Sequence, residues 1–191
     1  MEQQEMTADR RSLTRLAHER LSEVLGEGDW AIDATAGNGH DTLFLARAVG
    51  PSGRLAAFDI QEEAIANTHQ RLAQEGLPAR VVLHQAGHER MAEQLGPGWR
   101  GRAAAVTFNL GYLPGGDHAK TTLPMTTLAA LDQALALLRA GGLLSVIAYR
   151  GHPGGKAEAD AVTAWFERHA ETLKTEIVES PGPVLLLGRK K

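Results

Sequence analysis

The chain has 191 residues, a formal net charge of −3 and no cysteine. That length suits one domain with a sizeable core, and the missing cysteines exclude disulfides, thiolate zinc sites and cysteine nucleophiles. No apolar run approaches a membrane span, residues 1–5 lack a signal-peptide pattern, and no global basic field exists to collect nucleic acid. The expectation is a soluble, cytoplasmic protein without membrane attachment.

Residues 9–25 read as an amphipathic helix, with Leu13, Leu16, Ala17, Leu21, Val24 and Leu25 on one face and Gly26 and Gly28 ending it. His18 borders that face, where a histidine is ordinarily packed at the edge of a core. Segment 1–28 is therefore expected to pack as a helix on a single domain spanning 1–191.

A strand, a glycine turn and a helix follow: Trp30-Ala31-Ile32, then Asp33-Ala-Thr-Ala36-Gly37-Asn38-Gly39-His40-Asp41, then Thr42-Leu43-Phe44-Leu45-Ala46. Glycines let a ligand approach the backbone closely, and the first helical turn adds unpaired N–H groups. Thr42 occupies the place of the third glycine of a dinucleotide fingerprint, which disfavours NAD. The spacing D-x-x-x-G-x-G resembles motif I of class I S-adenosylmethionine (SAM) methyltransferases. In that family the strand-end carboxylate, here Asp33, lies near the ligand's amino-acid moiety and the glycine backbone lies under it.

Residues 54–59 form the second strand, and Asp59 falls 20 residues beyond Gly39, where a doubly wound fold places the acid that accepts ribose hydroxyls. A carboxylate suits a vicinal diol because it accepts two hydrogen bonds. The plainer role for Asp59 is an N-cap for a helix over 61–75. Ile60 and Gln61 stand where side chains flank an adenine. Residues 80–84 read as a third strand, followed by a short helix near 88–95, with Gln85 or His88 available to the adenine. His84 and His88 lack a third ligand, so no metal site is read from them.

A fourth strand over 103–108 leads into Asn109-Leu110-Gly111-Tyr112-Leu113-Pro114-Gly115-Gly116-Asp117-His118. Asn109 and Tyr112 carry the spacing of the N-x-x-Y motif of amino-methylating enzymes. Methyl transfer from a sulfonium needs an amine lone pair aimed at the methyl carbon. An amide oxygen can take the amine's N–H and orient that lone pair, while an aromatic face can hold a planar base. A helix over 123–139 stopped by Gly141-Gly142 comes next, then a fifth strand over 143–149. The following Gly-rich loop offers Arg150, His152 and Lys156 to a substrate phosphate, or simply turns into a helix over 156–170. Strands 173–178 and 184–188, joined by Ser180-Pro-Gly-Pro183, form an antiparallel pair. The fold class is α/β: a doubly wound, Rossmann-like class I SAM methyltransferase sheet, mostly parallel with an antiparallel terminal strand.

The blocks DATAGNGHDTLFLA (33–46), AFDIQ (57–61), FNLGYLPGGDH (108–118) and GHPGGK (151–156) together resemble the YtqB-like rRNA methylase family, from about residue 13 to the end. The resemblance implies S-adenosyl-L-methionine as cofactor, an RNA partner, a homodimer, and N-methylation of the 5-aminomethyl group of a tRNA wobble (2-thio)uridine. By position it assigns Asp33, Gly37, Gly39, Asp59 and Gln61 to the cofactor, and Ala36, Asn38, His88 and Asn109 complete the expected cofactor-binding set. Asn109 and Tyr112 go to the target amine, Asp117 and His118 stand as candidate proton acceptors, and Arg150, His152 and Lys156 lie on the substrate side. The chain departs from the family at Ala86-Gly87, where Asp-Ser is common. Ribosomal RNA or a small amine is the alternative substrate, and a Rossmann-like binding module is the non-enzymatic alternative.

Overall fold

The computed structural model describes residues 13–77, 81–111 and 121–191. Five strands run parallel: β1 (Trp30–Asp33), β2 (Arg54–Asp59), β3 (Val81–Gln85), β4 (Ala103–Leu110) and β5 (Leu138–Ala148). The last two, β6 (Leu173–Glu179) and β7 (Val184–Lys190), form a hairpin because the loop between them is too short for a crossover. β7 inserts antiparallel beside β5, so the sheet reads β3-β2-β1-β4-β5-β7-β6.

The strand sequences explain why helices cover both faces. Alternate residues of a strand point to opposite sides, and here both sets are apolar: Ala31 and Ile32, Ala105 and Val106, Leu143 and Leu144, Leu185 and Leu186 divide between two separate cores. One core is completed by α1 (helical over 13–22), α2 (His40–Val49) and α3 (Glu62–Gln74). The other is completed by α4 (Met91–Leu95), α5 (Pro124–Leu137) and α6 (Gly155–Arg168). Leu13, Ala17 and Leu21 bury the expected face of α1, each buried leucine contributing about 1.5–3 kcal/mol.

Two of the boundaries that differ from the expected ones bear on the site and on the sheet. β4 continues through Asn109 and Leu110, which pair with Ile147 and Ala148 of β5, so Asn109 sits on a strand end rather than a turn. Helix α5 stops at Leu137, ahead of Gly141-Gly142, and those glycines lie inside β5. The stop is tertiary. The N–H groups of Gly101 and Arg102 take the carbonyls of Ala136 and Leu137. Lys190 Nζ donates to the Leu135 and Leu138 carbonyls at 2.8 Å each, satisfying a helix end that otherwise needs a glycine cap.

Candidate functional site

The strand order reverses between β2-β1 and β4-β5, which opens a crevice at the C-terminal ends of β1, β2 and β4. A cavity of about 260 Å³ lies there, its wall including Thr35, Gly37, Asp59, Gln61, His88 and Asn109. Five of these are expected at a ligand from the sequence, and the topology brings them to one opening.

The glycine turn rises from β1. Gly37 and Gly39 have φ of 52° and 77°, the left-handed region that glycine enters without strain. Gly39 also has no room for a side chain, since a Cβ there would stand 2.8 Å from Thr68 Cα on α3. Asp33, expected beside the ligand, is instead fully buried beneath the turn. Its Oδ2 accepts the Thr42 hydroxyl at 2.6 Å and its Oδ1 the Thr35 N–H at 3.1 Å. Burial, aided by the nearby Asp41 charge, pushes its pKa up to about 7. Asn38 likewise turns away from the cavity, accepting Asn67 Nδ2 at 3.0 Å. Ala36 and Gly39 stand behind Gly37, and the Ala36 N–H is taken by the Phe58 carbonyl.

Asp59 closes the other side of the turn. Its Oδ2 accepts the Gly37 N–H and its Oδ1 the Gln61 N–H, both at 2.9 Å. Neither bond is an N-cap, because α3 begins at Glu62 with Gln61 as the capping position. Burial raises the Asp59 pKa against the backbone N–H groups of Gln61, Gly37 and Ile60. Ile60, 57% exposed, projects at the cavity mouth beside Gln61. Opposite lie Ala86, Gly87, His88 and Glu89; burial lowers the His88 pKa, which keeps the ring neutral at pH 7. A carboxylate at a strand end, a glycine backbone, an exposed aliphatic and two small residues form a set that fits a ribose with a planar base beside it.

Asn109 is held twice. Its backbone N–H donates to Thr35 Oγ1 at 2.7 Å, and its side-chain Nδ2 donates to Asp41 Oδ2 at 2.5 Å. Asp41 was missed by the sequence reading; its place in the first turn of α2, two residues past Gly39, was the available signal. A second missed group is Glu158. This buried carboxylate of α6 accepts the hydroxyls of Thr122 and Thr127 at 2.6 Å each, fixing the segment whose Thr121, Thr122 and Thr126 form the cavity's remaining wall.

The substrate-side residues are brought together less well. Arg150 pairs with Glu179 at 2.7 Å, and the exposed Lys156 pairs with Asp160 one turn along α6, also at 2.7 Å. His152 donates through Nδ1 to the Pro153 carbonyl at 3.1 Å and lies beside Gly111 of the cavity wall. Tyr112, Asp117 and His118 lie outside the described residues. Among the described residues no cluster of three histidines or carboxylates can hold a metal, and no helix is long and apolar enough to cross a membrane.

Comparison with known proteins agrees with this arrangement. The family model "Putative rRNA methylase" matches residues 55–180. A chloroplastic tRNA (mnm(5)s(2)U34)-methyltransferase of Arabidopsis thaliana is 42% identical over 164 residues, covering 82% of this chain; the chain spans 59% of that relative's length. A "putative rRNA-methylase" of Clostridium thermocellum superposes with a TM-score of 0.88 at 37% identity, covering 93% of this chain and 97% of that one. A "putative methyltransferase" of Streptococcus mutans, solved in complex with SAH, gives 0.82 at 32% identity, with the same coverages of 93% and 97%. The sheet with its reversed last strand, the crevice at the switch point and these matches lead to one conclusion: the chain belongs to the rRNA methylase family of class I methyltransferases.

Proposed function

We propose that this protein is a SAM-dependent N-methyltransferase that acts on RNA, with the 5-aminomethyl group of a tRNA wobble (2-thio)uridine as acceptor. The observation that carries the reading is the convergence of Gly37, Asp59 and Asn109 on one cavity at the switch point. The name of the Arabidopsis relative supports the tRNA substrate, and the Streptococcus complex with SAH supports the cofactor.

In this reading Asp59 accepts the ribose hydroxyls, with Ile60, Gln61 and His88 flanking the base. Bound SAM supplies a methyl group activated by a sulfonium. Asn109 presents its amide oxygen to the N–H of the substrate amine and aims the lone pair. Tyr112 stacks on the nucleobase, and Asp117 or His118 takes the proton that an aliphatic ammonium must shed before attack. Arg150, His152 and Lys156 meet the RNA backbone after leaving their present partners. The reading includes a cytoplasmic homodimer without membrane attachment.

The test is methyl transfer from labelled SAM to three substrates: unmodified tRNA transcript, tRNA bearing aminomethyl-uridine, and ribosomal RNA, followed by nucleoside mass analysis. A gain of one methyl on the aminomethyl-uridine alone is the expected result. Label in ribosomal RNA only, or in no RNA, rejects the tRNA assignment; the latter turns the search to small amines.

A further inference from the structure

His18, Asp41 and Asn109 come from α1, the first turn of α2 and the end of β4, and they form one chain of hydrogen bonds. Asp41 Oδ2 accepts Asn109 Nδ2 at 2.5 Å, and Asp41 Oδ1 accepts His18 Nε2 at 2.7 Å. The His18 ring in turn lies flat on Phe44, centroids 3.9 Å apart and planes within 2°. Neither His18 nor Asp41 lines the cavity, whereas Asn109 does.

An asparagine amide can turn over with almost no change of shape, exchanging its acceptor for its donor. An acceptor-only neighbour removes that freedom. With Nδ2 committed to Asp41, Oδ1 is left as the face Asn109 offers to a ligand. The half-turned alternative would set an amide oxygen against a carboxylate oxygen and aim N–H groups at the substrate amine, which needs an acceptor. Asp41 lies in the first turn of a helix, with its side chain 15% exposed, and would be free to rotate toward water if nothing held its second oxygen. His18 holds it. The Phe44 stack fixes the plane of the imidazole, and the contact with a carboxylate puts the proton on Nε2.

We propose that Asp41 is a positioning residue that selects the acceptor face of Asn109, and that His18 of the N-terminal helix locks Asp41 in place. The inference rests on the amine-orienting role given to Asn109 above. It gives α1 a part in the site beyond completing one core, since loss of this helix would free Asp41 as well as remove Leu13, Ala17 and Leu21 from that core.

Two measurements test it on the full chain. The first needs no substrate: side-chain amide NMR of Asn109, its signals identified by their disappearance in Asn109→Ala. Wild type is expected to show one strongly downfield amide proton protected from exchange, and Asp41→Ala to return the pair to solvent-like shifts. The second is kinetics with aminomethyl-uridine tRNA. Asp41→Ala is expected to lower kcat about tenfold or more, as for an interaction acting in the transition state, with SAM affinity within about twofold of wild type. Asp41→Asn, whose oxygen can still accept from Asn109, recovers part of the rate, and His18→Ala falls between wild type and Asp41→Ala. Unchanged Asn109 amide signals in Asp41→Ala overturn the inference. So does full turnover by Asp41→Ala while Asn109→Ala is inactive. Full turnover by Asn109→Ala would instead bring down the reading of Asn109, and this inference with it.

Discussion

The Asp33 carboxylate and the Thr42 hydroxyl meet at 2.6 Å beneath the glycine turn, both fully buried. Thr42 stands where a dinucleotide fold has its third glycine, and it supplies the donor that a buried carboxylate requires. Asp33 is thereby a support: it holds Thr35, and Thr35 holds the Asn109 backbone.

Asp33 makes stability depend on pH in an unusual direction. Its folded pKa of about 7 lies above the ordinary 3.8, so between those values the native state binds the extra proton. Stability from this group is present below pH ~4 and is lost as pH rises toward 7, by up to about 1.4 kcal/mol per pH unit. Asp33→Asn keeps one acceptor for Thr35 and one donor for Thr42 and should lack this loss. Urea unfolding of both proteins at pH 5 and pH 7.5 checks it: the wild type should fall relative to the variant. A pH-independent difference would mean that Asp33 is ionised throughout.

Asp59→Ala should weaken SAM binding about tenfold to a hundredfold, as expected for removing charge-assisted hydrogen bonds, while the far-UV spectrum stays native. Calorimetric titration with SAM reads this directly. Unchanged affinity would remove Asp59 from the ribose and leave it as the clamp between Gly37 and Gln61.

Gly39→Ala combines a left-handed φ with a methyl 2.8 Å from the α3 backbone at Thr68. Strain and overpacking together should cost about 2–4 kcal/mol. Gly96→Ala is the control: its φ of 72° is similar, but nothing stands within 4 Å of the new methyl, so only the backbone strain remains. Equal midpoints in urea for the two variants would show that α3 yields at no cost.

Glu158→Ala strands the buried Thr127 hydroxyl, removes the acceptor of the half-buried Thr122 hydroxyl and frees the 121–127 segment. The expected loss is about 2–3 kcal/mol, or a Tm lowered by roughly 4–12 °C. SAM affinity should fall as well, because the cavity wall loosens. Native affinity with a lowered Tm would confine Glu158 to stability.

Sequence by itself determined the layered fold and the reversed hairpin, and it pointed to Gly37, Asp59, Gln61, His88 and Asn109, which line one cavity. Each rests on a local rule: strand alternation, turn chemistry, or the distance between one strand end and the next. What it could not reach were relations between residues far apart in the chain. Asp41 meets Asn109 across 68 positions, and Glu158 meets Thr122 across 36. The end of α5 depends on Lys190, Gly101 and Arg102, so the glycine signal at Gly141 misplaced it. Charges behaved likewise. Arg150 is paired by Glu179, 29 positions on, and Asp33, expected beside the ligand, is buried beneath the glycine turn. Local sequence encodes which backbone is formed. Which polar group is left facing a ligand is decided only when every buried donor and acceptor has found its partner.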